Sequence, residues 1–453
     1  MGMQNDLCLR HRALHVIEQL RWRLQAPDIA VRHRLRPTDF TRQCVLTFPV
    51  VMLLLLQKSL KSLQAHVQVF FDDLRTGDVA ACRLSGGALT HARAKLKSSA
   101  FTELNDAAVL ATVYGPEHAE LVRRWHGHRL LAVDSSLIRL PSHRAVGEKF
   151  GWVQCANHRG LQERYPQGRV SVLYDLLNQI GLEGRLVGST VAETELAHQH
   201  LAVVQPDDVL LNDRGYTGYR WLVAVRAARA HVIGRASRGS FPAVQRLFER
   251  DEADVSVEVT LVAPKHVQAE CRRRGWPLQL MVRLVTVRLN TGELEVLVTS
   301  LLNETTYPTA DFASVYWQRW GHETYYGRLK GRLDLEHCSG QTVEAVEQDF
   351  HAMVLLSNVE SVVTGPAQAQ LVERSAQRAQ STQVNRAISL HAIKYRLIDL
   401  LTSRKPADQV LAELSQMFKS NPVSRRPGRK VPRKTHSPSR SYHFQRRVRK
   451  IVF

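Results

Sequence analysis

The stretch HRLLAVDSSLIRLP, residues 128–141, is an apolar run that a single acid, Asp134, interrupts. Upstream of it the apolar residues recur at helical spacing, and downstream they form short runs typical of strands. Strands are predicted at 170–177, 181–189 and 207–216, with helices at 193–203 and 217–230. Strands that alternate with helices indicate an α/β core. The fold class predicted from this stretch is therefore α/β.

The region before this core is predicted to be helical. Within it, SGGALTHARAKL (85–96) predicts a turn followed by a basic amphipathic helix. Such a helix suits a DNA groove, although a solvated basic face on a bundle helix would give the same pattern. The apolar run Val45–Leu56 contains Pro49 and is too short to span a bilayer, so we interpret it as a buried helix.

Residues 231–302 differ from the core because four stretches show alternation or β-branched runs. Asn290-Thr291-Gly292 suits a hairpin turn between the last two, and 238–252 suits a helical excursion. We interpret this segment as a β-rich insertion in the α/β core. Helical patterns return at Asp311, and a Ser/Gln/Ala-rich segment (367–383) is predicted to be a loose connection to a further helix.

These patterns divide the chain into five regions. They are a helical N-terminal DNA-binding domain (1–115), a first part of the core (116–230), the β-rich insertion (231–302), a second part of the core (303–365), and a C-terminal helical region with a basic tail (366–453).

The chain is strongly basic. Its 62 Lys and Arg against 42 Asp and Glu give a formal net charge of +20, which predicts a polyanionic partner. With no membrane-spanning run, that partner is predicted to be nucleic acid and not a membrane. The six cysteines are widely spaced, which excludes a zinc-finger pattern and favours a reducing compartment. We expect a cytoplasmic, nucleoid-associated protein.

Three acids are candidates for chemistry. Asp134 interrupts an apolar strand, where an unpaired charge costs several kcal/mol of stability unless a partner compensates it. Asp213 follows the run VLLN, at the kind of strand end that lines a cleft in α/β sheets. Either aspartate taken alone would fit a hydrogen-bonded turn equally well. The third acid, Glu323, lies in a more informative pattern.

That pattern is YWQRWGHETYYGRLKGRL (316–333). It contains an aromatic residue, followed by a cation 3 residues later, a carboxylate 7 residues later and a second cation 14 residues later. They are Tyr316, Arg319, Glu323 and Lys330. At about 100° per residue these offsets fall within roughly 60° on a continuous helix, so the four would share one face. An intrahelical salt-bridge ladder is the alternative interpretation, because Arg319 and Glu323 form an ordinary i,i+4 pair.

Two aspartates and one glutamate are hard oxygen ligands, which suit Mg²⁺ or Mn²⁺. A pair of such ions about 3.5–4 Å apart activates a water or a 3′-hydroxyl and stabilises the leaving oxygen of a phosphoryl displacement. Arg319 and Lys330 would hold a phosphodiester beside them.

The spacing Tyr316-x2-Arg319-x3-Glu323-x6-Lys330 resembles the Y-(2)-R-(3)-E-(6)-K signature of the IS4 family of bacterial insertion-sequence transposases. Asp134 in VDSS and Asp213 in NDRGY are similar to the first two acids of that family's DDE triad. The QVNRAISL stretch (383–390) and the basic RPGR tail are also similar to the family's C-terminal end. The N-terminal region is matched only in general character.

The resemblance implies an RNase H-like catalytic core with a β-rich insertion before the third acid. It implies that Asp134, Asp213 and Glu323 are catalytic and bind two Mg²⁺ or Mn²⁺ ions, and that Tyr316, Arg319 and Lys330 contact DNA. The implied function is transposition, in which DNA is cut at terminal inverted repeats and the 3′-OH ends are joined to target DNA. Pairing two ends favours a homodimer on DNA.

Several neighbouring residues have simpler interpretations. Trp317, Trp320 and Trp276 are candidates to support a flipped base, although each is more often a core residue. Glu336 is the local rival for the third acid, and His322 points away from Glu323 on a helix. Arg272–Arg274 fits a solvated turn or a DNA contact.

Two other functions remain open on the sequence. One is a non-catalytic DNA-binding repressor derived from a transposase, against which the intact triad argues. The other is an RNase H-like metal-dependent nuclease that never joins strands.

Overall fold

A computed structural model of the chain describes residues 2–42, 44–58, 63–75, 84–156, 162–289, 292–376 and 380–424. The chain forms two compact units. Unit 1 comprises the described residues within Met1–Val122, Ile138–Gly168 and Leu329–Phe453, and unit 2 comprises Arg123–Leu137 and Arg169–Arg328. The five-region division drawn from the sequence stays a prediction.

The α-helices, numbered in chain order, are α1 (Gly2–Gln25), α2 (Pro27–His33), α3 (Phe48–Gln57), α4 (Leu63–Arg75), α5 (Gly86–Arg93), α6 (Ser99–Leu104), α7 (Ala111–Val113), α8 (Arg144–Phe150), α9 (Glu193–His200), α10 (Tyr219–Ala227), α11 (Pro242–Arg250), α12 (Lys265–Arg274), α13 (Asp311–Trp317), α14 (Trp320–Gly331), α15 (Val343–Ser375), α16 (Arg386–Tyr395), α17 (Leu397–Leu401) and α18 (Ala407–Ser420). A π-helical segment (Asn105–Leu110) joins α6 to α7, and 3-10 turns span Pro116–Leu121 and Arg214–Tyr216.

The strands are β1 (Leu130–Arg139), β2 (Trp152–Ala156), β3 (Gln162–Asp175), β4 (Ile180–Gly188), β5 (Val209–Asn212), β6 (His231–Arg235), β7 (Ser256–Val262), β8 (Gln279–Arg288), β9 (Leu294–Thr299), β10 (Thr382–Val384) and β11 (Pro422–Ser424).

Unit 1 is organised around the long helix α15. Its residues are buried on nearly every side, and it packs against α1, α3, α6 and α18. A helix that is apolar all round has to be enclosed by other helices, which explains this central position. The run interpreted as a buried helix is α3, with residues 51–56 buried. Among the described residues, no helix is both long and apolar enough to cross a membrane.

One prediction about unit 1 was wrong in detail. The segment from residue 367 was predicted to be a loose connection, but α15 continues through Pro366 to Ser375 because Ala and Gln are good helix formers. The helix α5 forms as predicted, with the Ser85 side chain accepting from the Ala88 N–H at 3.2 Å. Its Arg93, however, is buried and donates to Asp349 at 3.0 Å, so this side chain packs in the core, and contact of α5 with DNA stays a prediction.

Unit 2 is built on a mixed sheet with strand order β3-β1-β5-β6-β9-β8-β7, and β4 pairs with β3. The pairs β1–β5 and β5–β6 are parallel, whereas β6–β9, β9–β8 and β8–β7 are antiparallel. Most of the residues that pair in parallel are apolar and buried, because both faces of such a sheet are covered. In unit 1, β2 pairs with the first residues of β3.

The segment 231–302 contains the predicted strands, but it also continues the sheet of the core. Its first strand, β6, lies beside β5, and β9, β8 and β7 extend the sheet outward. The helical excursion is α11. A second helix, α12, contains Arg272–Arg274 at its C-terminal end, so these exposed arginines are helical and do not lie in a loop turn. Gly275, with φ 67°, caps the end of this helix. Asn290 and Thr291 of the predicted hairpin, and residues 425–453 of the basic tail, lie outside the described residues.

Candidate active site

Asp134 and Asp213 lie on neighbouring parallel strands of unit 2. The register pairs Ala132 of β1 with Leu211 of β5. Asp134 lies two residues after Ala132, and Asp213 lies two residues after Leu211. The two carboxyl groups therefore leave adjacent strands at equivalent positions. Asp213 directly follows β5, as predicted, but β1 continues to Arg139, so Asp134 is within a strand and not at its end.

The Asp134 carboxyl is held in a largely buried position. The backbone N–H of Ser135 donates to its Oδ1 at 2.7 Å. Burial raises the pKa of Asp134 to about 6; the negative charges of Glu193 and Glu323 act in the same direction, and Arg319 opposes them. A positive charge placed near this carboxyl group would stabilise its ionised form.

The Asp213 carboxyl is better compensated. It caps the 3-10 turn Arg214–Tyr216, where the backbone N–H of Arg214 donates to its Oδ1 at 2.7 Å. Arg235 also donates to Oδ1, from Nη2 at 2.8 Å. Burial alone would raise the pKa of Asp213, but the Arg214 N–H and the charges of Arg319 and Arg235 together hold it below its ordinary value.

Glu323 lies in the first turn of α14, and its side chain is 46% exposed. Its Oε1 accepts a hydrogen bond from Nη2 of Arg319 at 3.2 Å. The Arg319 guanidinium lies 4.9 Å from the Trp320 ring and 5.8 Å from the Tyr316 ring. Arg319 opposes the rise in the pKa of Asp134 and contributes to the lowered pKa of Asp213, so one cation acts on both aspartates and hydrogen-bonds to Glu323.

The single helix assumed for residues 316–330 is interrupted. The helix α13 ends at Trp317 and α14 begins at Trp320. Across the junction the backbone N–H groups of Gln318, Arg319 and Gly321 each donate to the carbonyl three residues earlier. These tighter turns break the α-helical repeat, so Tyr316 and Glu323 lie on separate helices and the prediction of one continuous helix was wrong.

Tyr316 and Arg319 are 4% and 5% exposed, respectively, which differs from the surface expected of DNA-contacting side chains. The Tyr316 hydroxyl donates to the Asn212 carbonyl, directly before Asp213, at 3.3 Å. Contact of these two residues with DNA stays a prediction, and their observed contacts are internal. Lys330, in the last turn of α14, belongs to unit 1 and is partly buried.

Two residues that the sequence analysis did not assign hold α14 against the sheet. The Tyr326 hydroxyl donates to the Asp134 carbonyl at 2.9 Å and accepts from the Val172 N–H at 3.1 Å. His322 contacts the Val172 carbonyl through Nε2 at 3.0 Å, and complete burial lowers the pKa of this imidazole to about 3. The one available signal was that Tyr326 follows Glu323 by three residues.

The three acids do not form a compact cage for one ion. In the described part of the chain, they are not a group whose ligand atoms all lie within 4.8 Å of one another. Their arrangement is an open one, with two carboxyl groups on adjacent strands and a third on a helix tied to the first strand. Glu336, the rival third acid, lies in unit 1, where it accepts from the Arg139 backbone N–H at 3.4 Å.

The tryptophans considered for base flipping are in different settings. Trp317 is exposed, Trp320 lies against Arg319, and the Trp276 ring is 4.9 Å from the Arg274 guanidinium. Of these three, Trp317 has the exposure that stacking on a base would require.

The chain is similar in sequence to known transposases. The family model described as "Transposase DDE domain" matches residues 125–359, just over half of the chain, and includes all three acids. The chain belongs to this DDE transposase family. The transposase InsG of insertion sequence element IS4 from Escherichia coli K12 is 24% identical to the chain over 243 residues, and this confirms the IS4 resemblance.

The match to the InsG transposase covers 52% of this chain and 52% of the relative, so the chain spans about half the length of that curated relative. Among solved structures, the match to a piggyBac transposase in a synaptic complex with hairpin DNA covers 99% of this chain and 85% of the piggyBac chain. Its TM-score is 0.40 at 11% identity.

Proposed function

We propose that the chain is a metal-dependent DNA transposase that cleaves DNA at terminal inverted repeats and joins the freed 3′-OH ends to target DNA. The observation that carries this proposal is the parallel register that sets Asp134 beside Asp213. The helix bearing Glu323 is hydrogen-bonded to the Asp134 carbonyl, so all three acids of a DDE site belong to one unit.

The three acids fit a pair of Mg²⁺ or Mn²⁺ ions by their chemistry. All offer carboxylate oxygens, which such ions prefer. Burial raises the pKa of Asp134 to about 6, and a nearby divalent cation would reverse this shift. The open arrangement also fits, because ligands shared between two ions about 3.5–4 Å apart need not all approach one another.

In this proposal Asp134, Asp213 and Glu323 hold the ions. When bound, the ions supply an activated water or 3′-hydroxyl and stabilise the charge on the leaving oxygen of the phosphodiester. Arg319 is assigned to orient the Glu323 carboxylate, which it contacts at 3.2 Å. Arg235 fixes the Asp213 carboxylate, and Lys330 is assigned to contact DNA phosphate.

We further infer an RNase H-like core formed by β4, β3, β1, β5 and β6, with the segment after β6 as its insertion. The strand order and the two parallel pairs support this inference. The proposed partner is DNA, supported by the net charge of +20. Because two transposon ends have to be paired, we propose a homodimer on DNA.

The decisive experiment compares Glu323→Gln with the unaltered chain on DNA carrying the inverted repeats that flank the coding region. The variant keeps the side-chain size but loses the negative charge that would bind a cation. We expect unchanged DNA affinity and loss of Mg²⁺-dependent cleavage. Glu258→Gln is the matched control, because Glu258 is exposed on β7 in the same unit. This variant should cleave DNA normally.

Normal cleavage by Glu323→Gln would contradict the assignment of the third acid. The two other functions are separated by the unaltered chain. If it binds the ends but shows no metal-dependent nicking, it is a DNA-binding repressor. If it nicks DNA but does not join pre-cut 3′-OH ends to a target, it is a nuclease.

A further inference from the structure

A cluster of histidines and one glutamate lies in unit 1, in a different unit from the three acids. His11 and His15 are on α1, and Glu117 and His118 are in the 3-10 turn Pro116–Leu121. We call these four residues the His–Glu cluster. One ligand atom from each of His11, Glu117 and His118 lies within 4.8 Å of the other two, and these three are the metal-ligand group found among the described residues.

The local structure explains why these side chains converge. His11 and His15 are four residues apart on one helix, so their side chains are neighbours on the same face. The turn begins at Pro116, and the Arg12 guanidinium donates to the Leu121 carbonyl at 3.4 Å, which holds the turn against α1. Residues about 100 positions apart in sequence thereby meet.

The separations of the nitrogen and oxygen atoms are short. Nδ1 of His15 is 3.2 Å from Nε2 of His118 and 3.3 Å from a carboxylate oxygen of Glu117. Nδ1 of His11 is 3.9 Å from the other carboxylate oxygen of Glu117. Ligands about 2.0–2.2 Å from one tetrahedral Zn²⁺ are separated by roughly 3.3–3.6 Å, so the two separations from His15 are close to those of shared ligands, and the one from His11 is slightly longer.

A hydrogen bond between His15 and His118 accounts for only part of the cluster. It leaves unexplained why His11 and Glu117 approach the same point. His118 is 3% exposed, and burial lowers the pKa of its imidazole, which favours the neutral form that ligates metals. The amide of Gln19 lies 3.4 Å from Nε2 of His15 and, turned to present its oxygen, would accept the ring N–H of a metal-bound His15.

We propose that His11, Glu117 and His118 bind one divalent transition-metal ion, Zn²⁺ in the cell, with His15 as the fourth ligand. Imidazole nitrogens with one carboxylate suit Zn²⁺, whereas the all-carboxylate site suits Mg²⁺ or Mn²⁺. The ion links α1 to the turn that precedes Arg123, where unit 2 begins. Its role is structural, and it is separate from the ions proposed for strand cleavage.

The test measures Zn²⁺ binding to the full chain carrying Asp134→Asn, which weakens any contribution of the acidic site. We expect one tightly bound equivalent by calorimetry after chelator treatment, and tetrahedral ligand-field absorption when Co²⁺ replaces Zn²⁺. Adding His11→Gln and Glu117→Gln removes two exposed ligands. Loss of an outer hydrogen-bond partner alone weakens metal binding about 10–100-fold, so this loss should exceed about 100-fold.

Two comparisons keep the result interpretable. His391→Gln, an exposed histidine on α16 in the same unit, should bind Zn²⁺ as the parent does. Zn²⁺ should raise the unfolding temperature of the parent but not of the His11→Gln/Glu117→Gln chain, whose metal-free unfolding temperature should match that of the parent. Equal Zn²⁺ affinity with and without the two exposed ligands, or Co²⁺ spectra that do not change between them, would overturn the proposal.

Discussion

At the scale of single residues, Asp134 is the most informative position. It directly follows four apolar residues, Leu130–Val133, in β1, and the sequence alone indicated that such a carboxyl needs compensation. The structure shows that the compensation within the chain is incomplete, because the pKa of Asp134 is raised to about 6, mainly by burial. Because this carboxyl group destabilises the folded chain when it is ionised, we expect it to serve a function other than stability.

This shift has a defined effect on stability. The folded chain holds the Asp134 proton more tightly than the unfolded chain, whose pKa is near 3.8. Ionisation therefore destabilises the fold as pH rises from about 4 to about 6, by roughly 2–3 kcal/mol in total. We expect Asp134→Asn to be more stable than the unaltered chain at about pH 7.5 without divalent metal, and equally stable at about pH 4.

Urea unfolding of both chains at the two pH values measures the difference, and the comparison cancels the titration of other groups. A stability difference that is the same at both pH values would show that the Asp134 carboxyl is not destabilised by ionisation.

The three acids could be proposed from the sequence because the spacing around Glu323 is distinctive, and their catalytic role stays a prediction. The burial of Tyr316 and Arg319 was not accessible in this way. Tyr316 is covered partly through its contact with Asn212, more than 100 residues earlier in the chain. Spacing on a helix gives the direction of a side chain, but which segment packs over it depends on tertiary structure.

At the scale of elements, Tyr326 joins α14 to two strands. Its hydroxyl bonds to the backbone of Asp134 on β1 and of Val172 on β3. Glu323 is one turn earlier on the same helix, so this anchor sets the position of the third acid relative to the first. The Asp134 carbonyl also accepts from the Ser171 hydroxyl at 3.0 Å, which reinforces the same junction.

Tyr326→Phe should therefore reduce both stability and strand cleavage. Removing the buried hydroxyl takes a hydrogen-bond partner from the Val172 N–H and costs about 1–3 kcal/mol of unfolding free energy. A shift of α14 would misplace Glu323, so we expect the cleavage rate to fall by more than tenfold, about 1.4 kcal/mol in the barrier, while DNA affinity is retained.

Chemical denaturation and a single-turnover cleavage assay measure the two effects. Tyr395→Phe is the control, because Tyr395 is 66% exposed and should change neither quantity. If Tyr326→Phe cleaved at the normal rate despite its lower stability, the anchor would have no part in placing Glu323.

Element boundaries were the least predictable feature. The Ser/Gln/Ala-rich segment from residue 367 was predicted to be a loose connection, yet α15 continues through Pro366 to Ser375, with Ala367 and Leu371 buried among its neighbours. Burial of an apolar face outweighed the cost of an interior proline. Conversely, the ordered spacing from Tyr316 to Lys330 suggested one helix, and local i→i+3 hydrogen bonds divided it.

At the scale of the whole molecule, the sequence predicted the α/β class and the positions of most strands. It did not predict that β7, β8 and β9 extend the sheet of the core, because strand pairing depends on long-range register and not on local pattern. The charge of the chain, in contrast, is additive and independent of the fold. It can therefore be used for prediction without knowledge of tertiary contacts.

Residues 425–453 carry eleven of the 62 basic residues and no acidic residue, so their removal lowers the formal net charge from +20 to +9. Each phosphate that a basic residue neutralises adds about 0.9 to the slope of log affinity against log salt. If this segment contacts DNA, truncation after residue 424 should lower the slope by several units and weaken binding most at low salt. Fluorescence anisotropy across a salt series measures both.

The truncated chain must first show the unfolding temperature of the full chain, which separates a loss of charge from a loss of structure. Identical salt slopes for the two chains would place DNA binding elsewhere, on basic residues within the described ranges. A smaller slope with intact cleavage of inverted-repeat ends would assign residues 425–453 to sequence-independent attraction of DNA, since phosphate contacts position a duplex but do not read its sequence.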